Sequence, residues 1–111
     1  MGIRVAIASS DNIVVNQHFG HTQHFYIYEV MGEMNYKFIE DRCVNPPCSI
    51  GEHDRNMLED AVWRVSDCKY VLCNRIGSGA SKLLLENGIH SYEMGDYIES
   101  SLNRLWYIVN Q

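Results

Sequence analysis

The sequence predicts a single α/β domain with a mixed five-stranded sheet and helices on its faces. The first 42 residues are rich in aromatic and β-branched residues arranged in strand-like runs. From Asp54 onward, apolar residues at helical spacing alternate with short apolar runs. A length of 111 residues suits one compact domain, and the chain contains no linker, repeat or low-complexity tract. We therefore expect one domain that spans residues 1–111.

The first half of the chain predicts antiparallel strands. Residues 3–8 and 25–30 form apolar runs, and residues 36–42 return as a hairpin partner after a turn that contains glycine and asparagine. Residues 13–15 are expected to add a short strand. Residues 43–53 contain Pro-Pro, which fits neither a helix interior nor a central strand, so this segment is predicted to be irregular.

The second half predicts helices that alternate with parallel strands. Asp54 is expected to cap a first helix, residues 69–73 and 89–93 to form strands, Ala80 to begin a second helix and Asp96 to cap a third. Right-handed crossovers between such strands make them parallel, so the complete sheet is mixed. The apolar stripe of the first helix is Leu58, Ala61, Val62 and Val65.

Composition excludes several classes of protein. Hydrophobic residues make up 46% and charged residues 21%, which is typical of a folded domain. Nine basic residues against fourteen acidic ones give a net charge of −5, which argues against nucleic acid and anionic lipid as partners. The apolar runs are too short to span a membrane. Because the N-terminus enters a strand at once, we expect a cytoplasmic protein with reduced thiols.

Potential metal ligands are concentrated between residues 18 and 53, which hold four of the five histidines and two of the four cysteines. The segment His18-Phe19-Gly20-His21 joins two predicted strands, and Gly20 permits a turn that lets both imidazoles face one point. The alternative is a pair of exposed loop histidines with Phe19 filling the core.

Thiols and a further imidazole follow in the irregular segment. Cys48 and His53 precede a predicted helix N-terminus, whose amides favour an anion. Thiolate with imidazole suits copper, zinc or an iron–sulfur species. Alternatively, Cys48 is a small buried hydrophobe and His53 a capping residue. Cys43, at a strand end, is either a metal ligand or only a neighbour of the site. Cys68 is predicted to lie in the core.

Four other residues are candidates for ligand or structural roles. Gly77 and Gly79 lie between a strand and a helix, where glycines allow an anion to approach the backbone, although helix–strand packing would explain them equally well. Cys73 is kept as an additional ligand at the end of a strand. His24 is predicted to be structural.

The chain resembles the dinitrogenase iron–molybdenum cofactor biosynthesis family. The resemblance is carried by Ala8-Ser9-Ser10-Asp11, Val15-Asn16-Gln17-His18-Phe19-Gly20-His21, Phe25, Glu52-His53-Asp54, Asp67-Cys68, Ile76-Gly77-Ser78-Gly79-Ala80 and Gly88-Ile89. It implies a ribonuclease-H-like three-layer fold and a role in nitrogen fixation. It further implies non-catalytic binding of an anionic metal–sulfur cluster and partners among other cofactor-assembly proteins.

Carried over by residue, the resemblance makes His18 the first cluster ligand, with His21, Cys48 and His53 beside it. Arg42 and Arg75 would add local positive charge, and Gly77 and Gly79 would offer backbone amides. Whether Cys43 binds metal is left open, because relatives often lack a second thiol in this segment.

Three functional hypotheses follow. The first is a carrier for the iron–molybdenum cofactor or its iron–sulfur precursor. The second is a single-ion module that binds zinc or copper through the same histidines and cysteines. The third is a hydrolytic or nucleic-acid-processing enzyme of the same fold, for which Asp11, Asp54 and Asp67 are available carboxylates.

Overall fold

The computed structural model describes residues 2–44 and 55–110, without the side chains of residues 55–57. The predicted proline corner, the Asp54 cap, Cys48 and His53 lie outside the described residues. Five strands and three helices are described: β1 (Ile3–Ala8), β2 (His24–Gly32), β3 (Asn35–Cys43), α1 (Arg55–Arg64), β4 (Tyr70–Cys73), α2 (Ser78–Glu86), β5 (His90–Glu93) and α3 (Ile98–Val109).

The strands form one mixed sheet in the order β3-β2-β1-β4-β5. β2 runs antiparallel to both β1 and β3, whereas β4 is parallel to β1 and to β5. Consequently β2 begins at the end of the sheet where the other four strands finish. This end, called the upper end below, is marked by Ala8, His24, Cys43, Cys73 and Glu93. The predicted mixed α/β sheet is confirmed.

Helices cover both faces of the sheet, which produces three layers. On one face Phe25 and Ile27 of β2 pack with buried residues of α1 and α2, including Leu84. On the other face Val30 packs with Leu102 and Leu105 of α3. The alternation along β2 follows from the two-residue period of a strand, which sends successive side chains to opposite faces. The ribonuclease-H-like classification stays a prediction from the resemblance.

Two local predictions are corrected. Residues 13–15 do not form a strand, because only an isolated bridge joins Val14 to Tyr97. Asp96 is not the cap of α3: Tyr97 occupies the N-cap position and makes no side-chain capping bond, while its own N–H donates to the Asp96 carboxylate at 2.7 Å. The Asp96 carbonyl accepts a bond from Val15 N–H at 2.9 Å, so this residue ties the first loop to the last helix.

The helices of the described segments are amphipathic rather than uniformly apolar. Within residues 2–44 and 55–110, none is both long enough and apolar enough to cross a membrane. Their apolar sides are used to cover the sheet.

Candidate functional site at the upper end of the sheet

The loop that carries His18 is bound to the carboxyl ends of two parallel strands. Gln17 N–H donates to the carbonyl of Ala8 at 3.3 Å, and the Gln17 carbonyl accepts from Asn74 N–H at 2.9 Å. Phe19 N–H donates to the carbonyl of Arg75 at 2.9 Å. The side chain of Phe19 is fully buried and contacts Phe25, with 5.5 Å between ring centroids. Backbone bonding and a buried aromatic anchor therefore fix this loop in place.

His18 and His21 are brought together by a tight turn. The carbonyl of His18 accepts bonds from the N–H groups of His21 and Thr22, both at 3.0 Å. The two imidazole rings lie edge to face with centroids 5.7 Å apart, and both residues are exposed. The two histidines are neighbours, as the first interpretation requires, and Phe19 fills the core, as the alternative predicted. The two interpretations are complementary, because the buried ring holds the exposed ones.

The first turn of α2 begins close to this loop. The bridge between His18 and Arg75 lies two residues before Gly77, the N-cap of α2, which makes no side-chain capping bond. The first amides of a helix have no intrahelical acceptor and attract anions. A Cβ built at Gly77 or Gly79 would meet no atom within 4 Å, so packing against the strand does not explain either glycine. Open space above these backbone groups is compatible with ligand approach.

Arg42 does not join the histidines, contrary to its expected role as a source of positive charge there. Its guanidinium donates to both carboxylate oxygens of Asp67, at 2.7 and 2.8 Å, and to the carbonyl of Arg64 at 2.7 Å. These bonds hold the pKa of Asp67 well below its usual range. Arg42 therefore ties β3 to the end of α1. Arg75 is exposed and lies beside His18.

A second group of potential ligands lies at the same end of the sheet. His24 of β2 is paired directly with Cys43 of β3, and Asp41 lies two residues before Cys43. His24 Nδ1 is 2.9 Å from an Asp41 carboxylate oxygen and 3.8 Å from the Cys43 sulfur. Cys43 was among the predicted metal ligands. His24 was predicted to be structural and Asp41 was missed, because a single sequence did not reveal their shared face.

A β-bulge creates this group. The strand register shifts between Ile27 and Tyr28. If the pairing of Tyr28 with Phe38 continued unchanged to the strand end, His24 would face Arg42 and Cys43 would point to the other face of the sheet. One extra residue reverses every later side chain. The bulge thus places Asp41 and Cys43 beside His24 and turns Arg42 toward α1.

The other described cysteines belong to the core. Cys68 and Cys73 are buried in the cluster beneath α1 and α2, and burial raises the pKa of each thiol to about 12. The prediction for Cys68 is confirmed. Cys73 is likewise a core residue, although its strand ends at the upper end of the sheet. A neutral buried thiol is a poor metal ligand, because coordination requires the thiolate.

The carboxylates proposed for an enzyme have other contacts. Asp11 accepts bonds from the N–H groups of Ile13 and Val14, at 2.9 and 3.1 Å, which lower its pKa and stabilise the turn after β1. Asp67 binds Arg42, and Asp54 lies outside the described residues. Neither of the two described carboxylates is positioned as half of a catalytic pair.

Comparison with known proteins identifies relatives named NifB and NifX. The chain is 37% identical over 103 residues to the FeMo cofactor biosynthesis protein NifB of Frankia alni, covering 90% of this chain and 20% of the relative. It is 26% identical to Protein NifX of Sinorhizobium fredii, covering 85% of this chain and 61% of that protein. The chain therefore spans about a fifth of the length of the NifB relative.

Solved structures share the fold. The protein PH0822 superposes with a TM-score of 0.66 at 23% identity, covering 95% of this chain and 91% of that one. A Methanocaldococcus jannaschii protein described as a dinitrogenase gives a TM-score of 0.61 at 14% identity, covering 96% and 90%. The profile of the family described as "Dinitrogenase iron-molybdenum cofactor" matches residues 1–106. The chain belongs to this family, and its relatives are named for FeMo cofactor biosynthesis.

Proposed function

We propose that this protein is a non-catalytic carrier that binds an anionic metal–sulfur cluster, either the iron–molybdenum cofactor or an iron–sulfur precursor. The observation that carries the proposal is the pair of exposed imidazoles, His18 and His21, 5.7 Å apart beside the N-terminus of α2. Its family membership supplies the class of cargo.

The chemistry of the loop suits such a cargo. A neutral imidazole coordinates an exposed metal atom without adding negative charge. Amides in the first turn of α2 interact favourably with a cluster's negative charge, and exposed Arg75 places a cation beside His18. These contributions are local, which matters because the whole chain carries a charge of −5 and repels anions at long range.

A firm scaffold also favours binding of the cargo. Phe19, which lies between the two histidines in the sequence, is buried, and the loop is bonded to the ends of β1 and β4. Ligand groups held in place before binding lose little conformational entropy when the cargo arrives. Two imidazoles and backbone amides can hold a cluster while leaving much of its surface open for transfer. Other cofactor-assembly proteins are the partners that this role requires.

Anaerobic titration with a synthetic iron–sulfur cluster tests the proposal. The wild-type protein should acquire the visible absorption of a bound cluster and retain it through gel filtration. His18→Ala should lower affinity by at least about tenfold, because it removes a metal bond. His90→Ala is the matched control: His90 is also exposed, but it begins β5 at the opposite end of the sheet.

Equal cluster binding by a folded His18→Ala variant would overturn the ligand assignment. Equal losses in His18→Ala and His90→Ala would indicate non-specific binding. Uptake of one metal ion without sulfide, lost in His18→Ala, would instead support the single-ion zinc or copper module.

A further inference from the structure

We propose that His24, Asp41 and Cys43 form a separate binding site for a single zinc-type dication at the β2–β3 edge of the sheet. The site uses none of the histidines assigned to the cluster. It would take Zn²⁺ through one imidazole nitrogen, one carboxylate oxygen and one thiolate sulfur.

The ligand geometry is close to that of a tetrahedral zinc site. Zinc bonds of about 2.0–2.3 Å at tetrahedral angles place neighbouring ligand atoms about 3.3–3.6 Å apart. The separations from His24 Nδ1 are 2.9 Å to Asp41 and 3.8 Å to Cys43. All three ligand atoms lie within 4.8 Å of one another. Closing these separations to the zinc values would complete three corners of a tetrahedron, leaving the fourth for water or an exchanging ligand.

The strands hold these side chains in place. His24 and Cys43 are direct partners in the antiparallel ladder, so their side chains project from the same face. Asp41 shares that face because it is two residues away on the same strand. The imidazole of His24 stacks on Tyr26, with ring centroids 5.6 Å apart and an interplanar angle of 10°. The stack fixes the orientation of the ring that would bind the metal.

This site differs from the cluster site in the charge of its ligands. A thiolate and a carboxylate bring two negative charges, which a dication neutralises and an anionic cluster does not. The mixed nitrogen, oxygen and sulfur donors favour zinc over magnesium or calcium, which prefer oxygen alone. Binding converts the Cys43 thiol to a thiolate and releases its proton to solvent.

The site is accessible to an incoming ion. Asp41 and Cys43 are exposed, whereas His24 is half-buried. Exposure of the ligands and an open fourth position are suited to metal exchange rather than to permanent structural binding.

Co²⁺ titration of the metal-free, reduced protein tests this proposal by a readout independent of cluster binding. One equivalent should produce thiolate-to-cobalt charge-transfer absorption in the near ultraviolet, and Zn²⁺ should abolish that absorption where Mg²⁺ does not. Cys43→Ser should remove the band. His24→Gln and Asp41→Asn should each weaken affinity by at least about tenfold.

Cys48→Ser and His18→Ala are the controls and should leave the band unchanged. A band that survives Cys43→Ser, or disappears in Cys48→Ser, would overturn the assignment, as would the absence of stoichiometric Co²⁺ binding. Circular dichroism of each variant confirms folding. If cobalt binds but the synthetic cluster does not, the cluster proposal fails and this one stands.

Discussion

Two histidine groups at the same end of the sheet differ in what lies beside them. His18 and His21 share a loop with a helix N-terminus and an exposed arginine close by. His24 faces Asp41 and Cys43 on paired strands. Identical imidazoles thus occupy an environment suited to anions in one case and to cations in the other. If both proposals hold, neighbouring charge rather than the histidine itself determines which metal species each group binds.

The largest expected effect is a loss of stability on removing Phe19, the buried residue that anchors the loop of His18 and His21. Phe19→Ala deletes a fully buried ring that contacts Phe25, and we expect a loss of about 3–5 kcal/mol in the free energy of unfolding. Urea denaturation measures it. Phe38→Ala, at a side chain that is 48% exposed, should cost about 1 kcal/mol or less. Similar values for the two variants would show that Phe19 does not anchor the loop.

A reciprocal loss of binding would test the comparison itself. His21→Ala should weaken cluster affinity by about tenfold while leaving the Co²⁺ affinity unchanged, and Asp41→Asn should do the reverse. The physical reason is that His21 lies with the anion-attracting groups, whereas Asp41 supplies negative charge to a dication. Parallel titrations with cluster and cobalt measure both affinities. If either variant weakened the binding of the cluster and of Co²⁺ equally, the two groups would constitute one site.

A smaller loss of stability is expected when the ion pair between Arg42 and Asp67 is broken. The bulge directs Arg42 away from both histidine groups. Asp67→Asn breaks the paired bonds from Arg42, and we expect a loss of about 1 kcal/mol, limited by solvent screening because the Asp67 side chain is 44% exposed. The pKa of Asp67 is lowered in the folded state, so its contribution is present above pH 3.8 and is lost as the pH falls below that value.

Urea denaturation at neutral and acid pH tests this pH dependence of stability. Asp67→Asn should be destabilised at neutral pH and should approach the wild type in acid. Asp60→Asn, which breaks an exposed pair within α1, should cost about 0.3–0.5 kcal/mol. A constant difference between Asp67→Asn and wild type down to the lowest pH studied would contradict the assigned pairing.

A small stability effect is also expected at the start of α2. Gly77→Ala should cost about 0.5–1 kcal/mol, because a helix N-cap prefers glycine to alanine. No strain is added, since the backbone has an ordinary φ of −73° and a Cβ meets no neighbour. Cluster affinity should nevertheless fall, since a methyl group would occupy space above the first amides. Gly88→Ala is the contrast: its φ of +78° predicts a loss of about 1 kcal/mol with unchanged cluster affinity.

Periodicity was sufficient to predict the sheet and its helices, because strand and helix patterns depend on local spacing. The end of α2 illustrates this: Asn followed by Gly is a typical helix stop, and Gly88 has the positive φ of such a stop. The Asp96 cap was wrong, because the carboxylate bonds the N–H of Tyr97 before the helix begins. Local residue preference did not reveal that alternative.

The candidate site was only partly predictable. His18 and His21 lie in one short segment with a glycine between them, so their approach could be inferred from the sequence. The group around His24 depends on pairing across a hairpin, and the bulge after Ile27 shifts that pairing by one residue. Because a shift of one residue exchanges the faces of a strand, the partnership of His24 with Cys43 required the actual register.

Quantitative iron and acid-labile sulfide analysis of protein reconstituted without air tests the central claim most directly. The wild type and His90→Ala should each hold iron and sulfide in a fixed ratio after desalting, and His18→Ala should hold little of either. Iron and sulfide retained in full by folded His18→Ala would contradict the claim, as would a reconstituted wild type that holds no sulfide.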